Sequence, residues 1–153
     1  MASDPTKTYP LPKFHFEVDW SGARIGFTEV CGLEFETEVI EYREGNSLLY
    51  NNKKQPGRTK YANIILKRGV FLGDFDLYDW WKKTYYFMEQ ATSFRETIVI
   101  KLLNDANQPI ISWSLANAWP CKVRYGSLNS EANDILIESM EIVHEGLAIL
   151  QAE

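Results

Sequence analysis

Residues 31–69 read CGLEFETEVIEYREGNSLLYNNKKQPGRTKYANIILKRG. The stretch opens as a long strand pattern over 33–43. Leu33, Phe35 and Val39 fall on one side and Glu34, Glu36 and Glu38 on the other, because strand side chains alternate between faces. Three like charges spaced two residues apart repel, so their face requires water. A sheet face that must stay wet, in a chain otherwise rich in aromatics, fits a wall around an aqueous space.

After Glu44-Gly45 the pattern breaks. Residues 46–60 are expected to form an irregular, projecting loop, since Asn46, Asn51, Asn52, Pro56 and Gly57 interrupt any regular period. Leu48, Leu49 and Tyr50 open it, and Lys53, Lys54, Arg58 and Lys60 make it basic. A loop of about 15 residues is uncommon in a compact domain and is usually functional. Apolar side chains on a projection are a liability unless they meet another molecule. Contact with another molecule is therefore expected here.

Outside this stretch the chain reads as more strands and one helix. Pro5, Pro10 and Pro12 make residues 1–12 an extended arm. A strand at 14–20, a Ser21-Gly22 turn and a strand at 24–30 form a hairpin pattern. Another strand spans 61–68 and stops at Gly69. Asp74 is a good helix N-cap, and the spacing predicts a helix to about residue 90 with Leu77, Trp81, Thr84 and Met88 as its apolar stripe, widened by Tyr78 and Tyr85. Strands return at 97–103, 110–118, 121–125 and 134–144. In the last, Ile135, Ile137 and Val143 share one face and Glu138, Met140 and His144 the other. The fold class is mainly β with one α-helix over a single domain, 1–153.

Bulk properties bound the function. At 153 residues, 45% hydrophobic and 14% aromatic, the chain has enough material for one core. Its formal charge of -5 argues against a nucleic-acid backbone as main partner. Cys31 and Cys121 make no disulfide framework and read as two reduced, mostly buried thiols. The start carries no secretory pattern, so synthesis in the cytoplasm is expected, and no apolar run is long enough to span a bilayer.

Chemistry is conspicuously thin. There is no Gly-rich phosphate loop, and His15 and His144 stand far apart without metal-ligand neighbours. No serine lies in a nucleophile elbow, and neither cysteine has a protease-type flank. The glutamates of the first strand are serial on one face, without an apolar pocket to raise a pKa. No catalytic residue, metal or cofactor is expected.

Ordered signatures do stand out. They are Phe14-x-Phe16-x-Val18, then residues 26–33 (GFTEVCGL), Tyr42-Arg43-Glu44-Gly45, Pro56-Gly57 and Leu66-Lys67-Arg68-Gly69. A helix bearing Trp80 and Trp81 follows, then Trp113-x-Leu-x-Asn117-Ala118-Trp119-Pro120 and residues 138–147 (ESMEIVHEGL). In this order, over 9–150, they resemble the tail-tube protein family of contractile phage tails, and more closely its relatives in phage-tail-like contractile injection systems. The resemblance implies a small β-barrel or sandwich with one helix on its flank, and hexameric rings stacked into a hollow tube, each subunit adding strands to one inner β-barrel. It also implies a surrounding contractile sheath, baseplate or hub and terminator proteins at the ends, and effector cargo or nucleic acid in transit. The particle would be a virion, an extracellular device or a membrane-anchored one, with no membrane insertion of the monomer.

On that footing Glu34, Glu36 and Glu38 are expected to face the lumen. Leu48, Leu49, Tyr50, Lys53, Lys54, Arg58 and Lys60 are expected to touch a subunit of the adjacent ring. The alternatives are a type VI secretion-type ring-forming tube protein and a small-ligand-binding β-barrel, the latter disfavoured by the charged face.

Overall fold

The computed structural model describes residues 10–151 apart from 14, 21–22, 47, 49–51 and 86–93. Along the chain come β1 (Phe16–Trp20), β2 (Ala23–Ile25), β3 (Glu29–Cys31), β4 (Phe35–Tyr42), β5 (Lys53–Tyr61) and β6 (Ile64–Gly69). Then follow α1 (Asp76–Tyr85), β7 (Glu96–Leu103), β8 (Pro109–Tyr125), β9 (Ile137–Val143) and β10 (Gly146–Gln151). Among the described residues every sheet pairing is antiparallel.

The 17-residue β8 organises the rest. Trp119-Pro120 does not end a strand, as its sequence suggested. The chain turns a corner there and continues. Asn117 adopts a left-handed backbone, φ 50°, a conformation that asparagine tolerates better than most residues. Its side-chain amide donates to Glu145 at 2.7 Å, and the Glu145 amide donates to the Ala116 carbonyl at 2.9 Å. Just beyond, a register shift between Pro120 and Lys122 inserts Cys121 as an extra residue. Such a bulge bends a strand and accommodates proline's missing N–H. It also turns Cys121 outward, so that thiol is exposed rather than buried.

Before the corner, β8 pairs with β7 on one side and β10 on the other; after it, with β9. β9 and β10 hold one register against β8 (Val143 opposite Trp119, Gly146 opposite Ala116) and act as a single bent strand. Two layers result. One holds β2, β1, β7, β10 and the first half of β8; the other holds its second half with β9, β6 and β3. The strand expected at 24–30 splits into β2 and β3 because the chain crosses between the layers there.

Between the layers lie Val18, Trp20, Ile98, Ile100 and Leu115 from one side, and Ile64, Leu66, Met140 and Ile142 from the other. Each such side chain contributes about 1.5–3 kcal/mol when fully buried. α1 closes the flank with Leu77 and Trp80, not with the expected line through Trp81 and Thr84, which are only half-buried. Trp80 decides this: its ring packs on Trp20 at 4.0 Å between centroids and its indole N–H donates to the Phe94 carbonyl at 3.1 Å. Met88 lies outside the described residues.

The inward face of β9 is also the reverse of its apolar pattern. Glu138, Met140, Ile142 and His144 point into the protein, while Ile135 and Ile137 are exposed. Arg68 of β6 explains the reversal. Its Nε donates to Glu138 at 2.6 Å and its Nη2 to Asp74 at 3.0 Å. Asp74 in turn accepts the Asp76 amide at 3.2 Å and caps α1. A buried cation thus finds two carboxylates, Glu138 on the neighbouring strand β9 and Asp74 at the start of α1.

Candidate assembly surface

The stretch 31–69 forms a hairpin that outgrows its sheet. β3 pairs with β6 inside the second layer, and β4 pairs with β5 as a separate two-stranded ribbon. The two ladders share one register: Glu29 faces Lys67, Cys31 faces Ile65, Phe35 faces Tyr61 and Glu36 faces Lys60. The ribbon is therefore the β3–β6 hairpin continued beyond the main sheet after a break at 32–34 and 62–63. Gly32 makes that break possible. Its φ is 93°, and a Cβ there would lie 2.1 Å from the Asn63 carbonyl oxygen.

Much of the segment expected to be an irregular loop is thus strand: Lys53–Tyr61 is β5. Pro56 and Gly57 obscured it. Between Thr37 and Val39 the register shifts, so that Gly57 and Arg58 together oppose Glu38. A bulge on a two-stranded ribbon tolerates both residues, whereas a central strand would not.

At the ribbon's root, Tyr61 packs on buried His144 with ring centroids 5.5 Å apart, and His144 Nε2 lies 2.9 Å from the Ala62 carbonyl oxygen. This puts the Phe35–Tyr61 row on the core side and the Glu36–Lys60 row on the outer side. The outer row continues a polar face on the main sheet. Across four strands one line there runs Glu29, Lys67, Ser139, Arg124, and the next Cys31, Ile65, Glu141, Lys122. Six of these residues line one shallow surface groove. Opposite charges sit on neighbouring strands, with Lys67 Nζ 3.4 Å from Glu29. The Cys31 thiol donates to Glu29 at 3.1 Å, and this hydrogen bond pushes it up from its ordinary value.

The expected residues divide accordingly. Glu36 and Glu38 share the outer ribbon face, and Glu34 precedes it in the break. They are not an uncompensated acidic row, because Lys60 pairs with Glu38. Lys60 is consequently spent inside the ribbon. Lys53 and Lys54 lie opposite Tyr42 and Glu41 near its far end, and Arg58 sits at the bulge. None of these three has an ion-pair partner among the described residues. Leu48, in the turn joining β4 to β5, is 96% exposed. Leu49 and Tyr50 lie outside the described residues.

Sequence alternation missed the ribbon's apolar surface. Phe35, Val39, Ile40 and Tyr42 are 58%, 61%, 53% and 54% exposed. The greasy side of the pattern is not covered by this subunit's core. Ile40 and Tyr42, moreover, alternate with Glu38 onto its own side. A ribbon apolar on both faces beyond its root has no stable place in water.

A second exposed apolar cluster lies at the other end of β6. There the 70–75 and 126–136 loops meet: Val70 donates to the Leu136 carbonyl at 3.0 Å, and Gly126 to that of Ile137 at 3.0 Å. Phe71, Leu72, Phe75, Leu128 and Ile135 are all exposed on them.

A two-layered β subunit with a flanking helix, a continuous polar face and unpartnered apolar elements at both ends is a protein shaped for polymerisation. The chain belongs to the T4-like virus tail tube protein gp19 family, whose model matches residues 12–148. It is a tail tube protein of the contractile-injection-system type. Among solved structures it resembles a chain of the extracellular contractile injection system PVC sheath–tube complex in its extended state, at 28% identity and TM-score 0.83, covering 99% of this chain and 100% of that one. It resembles equally a chain of the anti-feeding prophage tube-terminating cap, at 28% identity and TM-score 0.84, covering 98% and 97%. Hcp1 from Flavobacterium johnsoniae shares the fold at 13% identity and TM-score 0.54, covering 91% and 97%. No curated protein matches the chain.

Proposed function

We propose that copies of this chain close into hexameric rings that stack as the rigid inner tube of a contractile injection particle. A sheath surrounds the tube, terminator and baseplate proteins cap it, and cargo passes through the bore. The particle is extracellular, built from subunits made in the cytoplasm. The protein is a structural element and catalyses nothing. Among the described residues no helix is long and apolar enough to cross a membrane.

One observation carries this reading: past the break at 32–34 and 62–63, the wet face of the main sheet resumes as the Glu36–Lys60 row at the root of a ribbon whose outer half exposes apolar side chains on both sides. Water must bathe the first, and only another protein can cover the second. The bore wall is then the polar face, with Glu34, Glu36 and Glu38 at its ribbon end and Lys67, Lys122 and Arg124 farther along. Such a lining is balanced rather than acidic, and holds neither anionic nor cationic cargo firmly. The ribbon, with Leu48, Lys53, Lys54 and Arg58 toward its end, reaches a subunit of the neighbouring ring. Lines of backbone hydrogen bonds, each worth about 1 kcal/mol net, add up over a tube to stiffness.

A reconstruction of the assembled particle tests the assignment. Side chains of Glu36 and Arg124 pointing into the bore are expected; both pointing at the sheath would overturn the wall. The type VI secretion-type reading has the weaker structural likeness and predicts free rings as the end state.

A further inference from the structure

The ribbon needs a seat, and this inference rests on the stacking reading just given. We propose that the pole formed by the 70–75 and 126–136 loops receives the ribbon end of a second copy in the next ring.

Position supports it first. The ribbon leaves from the start of β6 and the pole lies past its end, so a strand of six residues, about 20 Å, separates them along one direction. Surfaces at opposite ends of a subunit, each unlike the other, make a head-to-tail contact that does not close and so builds a filament.

Chemistry supports it next. The pole exposes Phe71, Leu72 and Leu128, Leu72 completely. The ribbon exposes Val39, Ile40 and Tyr42. Charges are opposed as well. Apart from Asp74, which Arg68 holds, stretches 69–81 and 125–136 contain Asp76, Asp79, Glu131 and Asp134 and no Lys or Arg. With Lys60 paired to Glu38, the far end of the ribbon, residues 41–58, keeps Arg43, Lys53, Lys54 and Arg58 against Glu41 and Glu44 and is net basic. Two acidic poles or two basic ribbons would repel, so like ends reject each other and the polarity of stacking is set by charge.

The pole is held ready by the buried ions. Arg68 ties Asp74 at the start of α1 to Glu138 at the start of β9, so both loops are fixed to one cation.

Stacking by purified protein, followed by electron microscopy and sedimentation velocity, tests the seat. K53E with K54E, and separately E131K with D134K, are each expected to keep the wild-type melting temperature. Each should raise the concentration needed for stacks by at least about tenfold, the equivalent of 1.4 kcal/mol. All four substitutions in one chain should restore stacks, and L72D should lose them. A pole variant or L72D that stacks like wild type, while the ribbon variant does not, overturns the seat and leaves the ribbon to another partner. Failure of the fourfold chain to recover also overturns it. If every variant stacks like wild type, or wild type never stacks, the stacking reading falls and the seat with it.

Discussion

Arg68 and Glu138 meet at 2.6 Å with side chains only 4% and 3% exposed, joining β6 to β9 beneath the first turn of α1. Neither charge has bulk water to fall back on. Removing Glu138 strands a guanidinium that keeps only the half-exposed Asp74, and a broken buried pair costs roughly 3–5 kcal/mol. Glu138→Ala should therefore lose about that much in denaturant unfolding of the unassembled chain. Replacing both partners, Arg68→Met with Glu138→Leu, should cost far less.

The cap predicts an acid limb. Burial opposes ionisation of Asp74, but the Asp76 amide and Arg68 outweigh it and hold the carboxyl below its ordinary value. A depressed carboxylate contributes stability above its unfolded pKa, near 3.9, and loses it as pH falls through the folded value. Thermal melts from pH 7 to 2 should show this loss starting below about pH 4, and Asp74→Asn should flatten that part of the profile.

Gly32 is irreplaceable for geometric reasons. An alanine there would combine a disfavoured positive φ with an overlap on the Asn63 carbonyl. Gly32→Ala should destabilise by at least about 2 kcal/mol and mispoint the ribbon. Chemical unfolding together with the loss of stacks in micrographs checks both consequences.

The ribbon's apolar residues should matter for assembly and not for folding. Val39 and Ile40 are more than half exposed, and surface substitutions usually lie within about 0.5 kcal/mol. Val39→Asp with Ile40→Asp should leave the melting temperature unchanged and abolish long tubes.

Cys31 should be a sluggish thiol. Its hydrogen bond to Glu29 raises its pKa and keeps the thiolate scarce. Alkylation at pH 7 should run slower than for free cysteine, and Glu29→Gln should speed it.

Local alternation and turn chemistry determined a good deal. Mostly-β character, the single helix with its Asp74 cap, and the wet side of 34–38 all follow from side chains a few residues apart. So does the resemblance to tube proteins, whose ordered motifs span nearly the whole chain. What local pattern missed was decided by partners distant in sequence. Glu138 and His144 turn inward because Arg68 and Ala62 wait there, and Trp80 outranks Trp81 because Trp20 faces it. β5 escaped notice because a bulge makes Pro56 and Gly57 tolerable. Trp119-Pro120 became a corner because Glu145 braces Asn117 across it. Alternation says that one side of a strand is greasy; only the tertiary structure shows whether its own subunit covers that side. For the ribbon it does not, because the core is already closed by two full layers and a helix, and those side chains stay exposed on the subunit.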